Sequence, residues 1–327
     1  MSNLRLMTVK RTIGVKLEAT ANQYTNNETL TAANYCFAAY DIEYSPAIED
    51  YVRKVAYGDA SKSRGVPGKR TGTVSFTCDL QPHGSSVTSA PMIFQLFRAC
   101  GFVQSTYAAG VGLKCSSLAD RAPVTIEVVE RQEGATPDQL VVRFFGCMGD
   151  VEIANESTGQ PVKCKFTFTG ALASITTRAY ANMLAPTSFD TSNVPAVLAA
   201  TIWLGSTTMY CSKFSVKTGN EESLFDDGSM AGGVSGARIS NRDPMIEIDP
   251  DMFVTTDKDW YTDHVNATTG ALAITIGNNL HINAPAGQIV QSYTPADRQG
   301  HVSNAMRIRC TRSSGNDELE ILQGVAS

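Results

Sequence analysis

The sequence predicts a mainly β, α+β chain made of two similar units, and three observations carry that prediction. The chain has 327 residues, more than one small core accommodates and enough for two domains of ordinary size. Runs of alternating apolar and polar residues recur along it with the period of two that half-buried strands require. The order of strand, polar loop, strand, helix and three further strands occurs twice.

In the first half, residues 39–44 alternate as a strand and a polar, Gly-containing stretch covers residues 50–70. Residues 72–80 form a second strand that should pair with the first. Pro91 then opens an amphipathic segment whose Ile93, Leu96, Phe97 and Cys100 fall at helical spacing, and Gly101 stops it. Strands at 124–129, from 140 toward 153, and at 161–172 complete the unit. The second half repeats this order at an offset of roughly 130–165 residues, the size of one domain. Strands are expected at 200–204, at 214–216, at 237–239 and at 245–249, with a Gly-rich acidic loop over 218–236. A helical stretch at 257–265 contains Trp260 and Tyr261 and ends before Gly270. Strands at 271–276, 280–289 and 304–312 close it, the last with Met306, Ile308 and Cys310 on one face.

Composition removes several function classes. The net charge of −5 offers no general attraction to nucleic acid, which needs clustered Lys and Arg to release counterions. Hydrophobic residues make up 43% and charged residues 18%, so the surface is short of charge, as suits faces buried against neighbours. The N-terminal stretch shows no signal peptide and no segment has the roughly 20 apolar residues that span a bilayer, so neither export nor a membrane role is expected. Eight cysteines lack any Cys-x-x-Cys pair or nearby His, which reads as buried thiols and not a metal site. His83, His264, His281 and His301 sit in no catalytic motif. The loop at 228–236 lacks the Gly-Lys-Ser/Thr ending of a phosphate cradle. Glu247 and Asp249 share one face of a strand, a pairing that glycoside hydrolysis could use but that a solvated acidic face explains more simply. No catalytic, cofactor-binding or metal-ligating residue is assigned, and no cofactor is expected.

The two long loops carry opposite charge. The first holds Arg53, Lys54, Lys62, Arg64, Lys69 and Arg70, whereas the second holds Glu221, Glu222, Asp226 and Asp227. In a self-assembling protein, opposite signs on corresponding surfaces steer subunits into one register. These ten residues are the candidate contact residues between subunits.

Several segments, in their order along the chain, resemble the tail tube proteins of long-tailed bacteriophages, in the class with two tube domains per chain. They are Val15-Lys16-Leu17-Glu18-Ala19-Thr20, Gly65-Val66-Pro67-Gly68-Lys69-Arg70 before Thr73-Val74-Ser75-Phe76, and Leu96-Phe97-Arg98-Ala99-Cys100-Gly101-Phe102. Thr218-Gly219-Asn220-Glu221, Asn241-Arg242-Asp243-Pro244 and the run from Thr311 to Glu318 continue the likeness. The resemblance implies tandem duplicated tail-tube-type β-sandwich domains, each with a flanking helix and long inter-ring loops. It also implies an N-terminal arm over residues 1–32, a first domain at 33–177, a linker at 178–196 and a second domain at 197–327. Three chains would form a pseudo-hexameric ring, and stacked rings a tube through which the genome leaves. The implied partners are other copies of the chain, a tape measure protein in the lumen, the tail terminator, distal tail or baseplate proteins, and viral DNA in passage. The implied location is the virion, after synthesis in the host cytoplasm. The alternatives are a terminator or distal tail component of the same fold, and a carbohydrate-binding or hydrolytic β protein using Trp203, Trp260 and Glu247.

Overall fold

The computed structural model describes residues 6–18, 30, 35–53, 62–83, 88–107, 110–117, 122–134, 138–179, 194, 201–277, 280–291 and 293–324. The first half contains strands β1 (Leu6–Leu17), β2 (Tyr35–Phe37), β3 (Tyr40–Tyr51) and β4 (Val66–Asp79), then helix α1 (Phe94–Ala99). Strands β5 (Phe102–Tyr107), β6 (Gly110–Cys115), β7 (Val124–Gln132), β8 (Gln139–Asn155) and β9 (Lys163–Arg178) follow. The second half opens with β10 (Thr201–Leu204), β11 (Thr207–Met209) and β12 (Phe214–Lys217), followed by β13 (Asn220–Asp226), β14 (Val234–Arg242) and β15 (Met245–Ile248). Helix α2 (Trp260–Val265) precedes β16 (Thr269–Ile276), β17 (Leu280–Gln291), β18 (Pro295–Arg298), β19 (His301–Asn304), β20 (Met306–Thr311) and β21 (Glu320–Gln323).

Seventeen of these strands belong to one sheet. In the first half, antiparallel pairing runs β3–β4–β9–β8–β7–β1–β2. In the second it runs β12–β15–β20–β17–β16–β10–β11. The two orders correspond position by position, and each helix follows the corresponding strand, α1 after β4 and α2 after β15. Antiparallel pairing of β8 with β12 joins the halves, and β21 joins them again by lying between β17 and β6.

The core follows from the alternation. Val74, Phe76 and Cys78 on β4 face inward beside Cys164, Phe166 and Phe168 on β9, with Phe166 and Phe168 stacked at 5.8 Å. Helix α1 lies on them because Phe94, Leu96, Phe97 and Ala99 are buried, and Phe97 meets Phe166 edge to face at 5.4 Å. No side chain caps its start, so burial and not local hydrogen bonding holds this six-residue helix. Gly101, at φ +84°, ends it in a conformation that side chains disfavour. Helix α2 is held differently: Asp259 caps the Thr262 N–H at 3.0 Å and Trp260 is its single buried anchor.

Three expectations change. Residues 6–17, within the N-terminal arm expected over 1–32, form β1, with Ile13 and Val15 fully buried and a long ladder to β7. The loop expected over 218–236 is largely the hairpin β13–β14, and the first polar stretch extends β3 and β4 into a long exposed hairpin. Two separate cores were expected, yet one apolar cluster takes residues from both halves, from Phe166 to Ile308. The linker at 178–196 lies almost wholly outside the described residues.

Candidate assembly interface

The two hairpins singled out by charge meet within the chain. Lys69 Nζ lies 2.6 Å from Asp226 Oδ2, and the Arg70 N–H donates to the Gly232 carbonyl at 3.0 Å. The hydrogen bond to Asp226 raises the Lys69 ammonium pKa. Gly233, at φ +71°, turns the chain at this contact in a conformation that side chains disfavour. Opposite charges on corresponding loops are therefore matched inside one subunit at this pair.

The remaining candidates are distributed differently. Arg53, Lys62, Arg64, Arg70, Glu221 and Asp226 are exposed, and Lys54 lies outside the described residues. Asp227 turns back on its own loop, accepting from the Ser229 N–H at 2.9 Å and its hydroxyl at 2.6 Å, which lowers its pKa. Glu222 faces the sheet instead of solvent: burial pushes its carboxyl up to about 7, with a hydrogen bond from Thr169 opposing and Asp150 adding to the shift. Arg238 packs over the Phe225 ring at 3.8 Å. Apolar side chains stand exposed on the first hairpin, namely Ile48, Tyr51, Val52 and Val66.

The joint between halves is where charge and polarity concentrate. On β12, Phe214, Ser215, Val216 and Lys217 stand opposite Asn155, Ala154, Ile153 and Glu152 of β8. The Phe214 N–H donates to Asn155 Oδ1 at 2.8 Å, the Ser215 hydroxyl to Glu152 Oε1 at 2.8 Å, and Lys217 Nζ lies 3.6 Å from Glu152. Beyond it, Thr218 donates its hydroxyl to Asp150, and Asn220 reaches the carbonyls of Cys100 and Gly149 at 2.8 and 2.9 Å. Gly219, at φ +60° and with the Asp243 carbonyl where its Cβ would be, lets the chain leave β12 for β13. Charge patterning carries no sign of Thr218, Asn220 or Asp150 in this network; the Thr-Gly-Asn triplet is its one local signal.

The residues a hydrolytic reading would need do not all line one cleft. Glu247 reaches Arg307 at 3.1 Å and Lys217 at 3.8 Å, whereas Asp249, expected on the same exposed face, is buried. Its carboxylate accepts from the Ser212 and Lys213 N–H groups at 2.8 and 3.0 Å and pairs with Arg298 at 3.4 Å. A cleft of about 470 Å³ is lined by Glu247, Asp249 and Arg307 but by neither tryptophan. Trp203 is half exposed on β10, and Trp260 is buried under α2. His281 shares a hydrogen bond with Thr275, and burial lowers its pKa. Cys115, Cys211 and Cys310 are pushed up to about 12 by burial, so these thiols stay protonated and unreactive. Among the described residues, no group of three His, Cys, Asp or Glu is placed to hold a metal, and no helix is long and apolar enough to cross a membrane.

No curated protein matches the chain. A comparison with models of known families matches residues 8–302 to the phage tail tube proteins. That span runs from β1 into β19 and includes the joint between the halves, and the chain belongs to the phage tail tube protein family, structural components of the virion.

Proposed function

We propose that the chain is a duplicated tube subunit, three copies of which close into a pseudo-hexameric ring, with rings stacking into the conduit for genome ejection. The observation that carries this reading is the matched strand order of the halves together with their edge-to-edge joint at β8–β12. A unit that joins its own second copy by strand pairing has the means to join further copies in the same way, and closure of the ring leaves no open edge.

The loops at Val52–Arg70 and Thr218–Arg238 are the candidate ring-to-ring contacts. Lys69 and Asp226 hold the two hairpins together, and the exposed residues Lys62, Arg64 and Glu221, with Ile48 and Tyr51, are left to meet the next ring. A tape measure protein in the lumen, a terminator at one end and distal tail proteins at the other are the partners, with DNA passing without specific contacts and no enzymatic step. The acidic balance suits that passage, because a negative wall repels phosphates.

Electron microscopy of the purified protein over a concentration series, with mass measured on the same sample, tests the proposal. Threefold rings stacked into hollow tubes are expected. Single rings that never stack would assign the chain to a terminator or distal component, and monomers at every concentration would overturn the tube reading.

A further inference from the structure

The joint inside the chain specifies the joint between chains. Strand β12 occupies in the second half the place that β3 occupies in the first, at the end of the order beside β15 and β4 respectively. The correspondence is fixed by shared landmarks. Phe76 opposite Phe166 matches Ile246 opposite Ile308, and the Leu80–Val162 hydrogen bond at the strand end matches that between Asn304 and Pro250. On this alignment Val151 of β8, opposite Phe166, corresponds to Ile289 of β17, opposite Ile308. Lys217 of β12, opposite Met245, corresponds to Glu43 of β3, opposite Ser75.

Within the chain, β12 sits on the part of β8 that β7 leaves open, since β7 pairs with β8 no further than Cys147 and β12 begins at Glu152. The corresponding part of β17 is open in the same manner: β16 pairs with β17 only as far as Gln288, and among the described residues no strand continues along that edge from Ile289 to Gln291. The outer edge of β3 is likewise without a partner strand among the described residues, and most of its twelve residues are exposed. An uncovered edge of that length invites pairing, and natural sheets keep such edges short. The other strands ending the two orders, β2 and β11, have three residues each.

We infer that β3 of one copy pairs antiparallel with the end of β17 in the neighbouring copy, in the register of the β12–β8 joint: Glu152 stands opposite Lys165 and Gln291 opposite Arg307, with Val290 bulged out of register, so Glu43 meets Gln291. This rests on the tube-subunit reading and adds which strands meet and in what register. Charge agrees with it. Inside the chain β12 brings Lys217 to Glu152, whereas β3 would bring the acidic Asp41 and Glu43 to a face carrying Arg307 and Arg309, half-exposed and paired with Glu247 and Asp243.

The test is a cysteine pair, Glu43→Cys with Gln291→Cys, in assembled tubes under mild oxidation. Directly opposed strand positions lie within disulfide reach. Lys217→Cys with Glu152→Cys, the corresponding pair inside the chain, is the positive control and should link without changing the mass of the polypeptide. The expected result is a ladder of linked chains that stops at three, absent from either single variant and mapped by mass spectrometry to positions 43 and 291. In the unaltered protein, amide exchange at residues 40–43 should slow at least tenfold on polymerisation. Tubes that form normally with neither the linkage nor the protection would overturn the register and leave the tube reading intact. A ladder running past three would overturn the closed ring, and failure of any tube to form would overturn both.

Discussion

At the scale of single residues, one half-buried and one fully buried carboxylate set measurable properties. Glu222 titrates at about 7 in the folded chain against an ordinary value of 4.5. The folded state therefore holds a proton that the unfolded chain releases between those values. The stabilisation is fully present below about pH 4.5 and is lost as pH rises through 7. The melting temperature should fall from pH 5 to pH 8, and Glu222→Gln should flatten that slope. Burial shifts Glu320 in the same direction and leaves a residual slope. An unchanged slope in the variant would exclude Glu222 as its source. Glu127 is a different case: its carboxylate is inaccessible and is shared by Arg143 and Arg178, each at 2.6 Å. Glu127→Ala strands two largely buried guanidinium groups and should cost about 3–5 kcal/mol in chemical denaturation. The exposed Lys69–Asp226 pair should matter to assembly more than to stability. Lys69→Asp should slow tube growth, and adding Asp226→Lys should restore it; equal growth rates in all three proteins would remove the pair from assembly.

At the scale of elements, β21 is the piece on which the union of the halves depends. Ile321 is fully buried between β17 and β6, so Ile321→Ala should destabilise by about 2–5 kcal/mol, measured by urea titration. Nothing in the sequence marked this strand. Its four residues have Ile321, Leu322 and Gln323 all buried, which erases the alternation that reveals a half-exposed strand. Strand β13 was hidden for the opposite reason, being mostly exposed and followed by a Gly-rich turn. Legible elements were those with one wet and one dry face, such as β4, β9 and β20, and those with local punctuation, such as α1 between Pro91 and Gly101. Asp249 shows where parity fails. It was placed beside Glu247 by counting in twos, but β15 ends at Ile248, and past that point the chain turns its carboxylate inward onto Ser212 and Arg298. The opposite charges of the two hairpins were legible; their meeting inside one subunit was not, because it depends on how the halves are set against each other.

At the scale of the whole molecule, a shared sheet and a shared apolar cluster predict one cooperative unit. Calorimetric unfolding of the subunit should show a single transition, with the van't Hoff enthalpy equal to the calorimetric one, where two independent domains would show two. The same wiring has a consequence in time. Strand β6 finds its partner β21 about 200 residues further along the chain, so on a ribosome adding roughly 5–20 residues per second β6 has no partner on that edge for about 10–40 s. During that interval the nascent first half carries an open seam that a neighbouring nascent chain could fill. Faithful synthesis of this protein thus becomes a contest between elongation and mispairing, and slowing translation between β6 and β21 should raise the aggregated fraction.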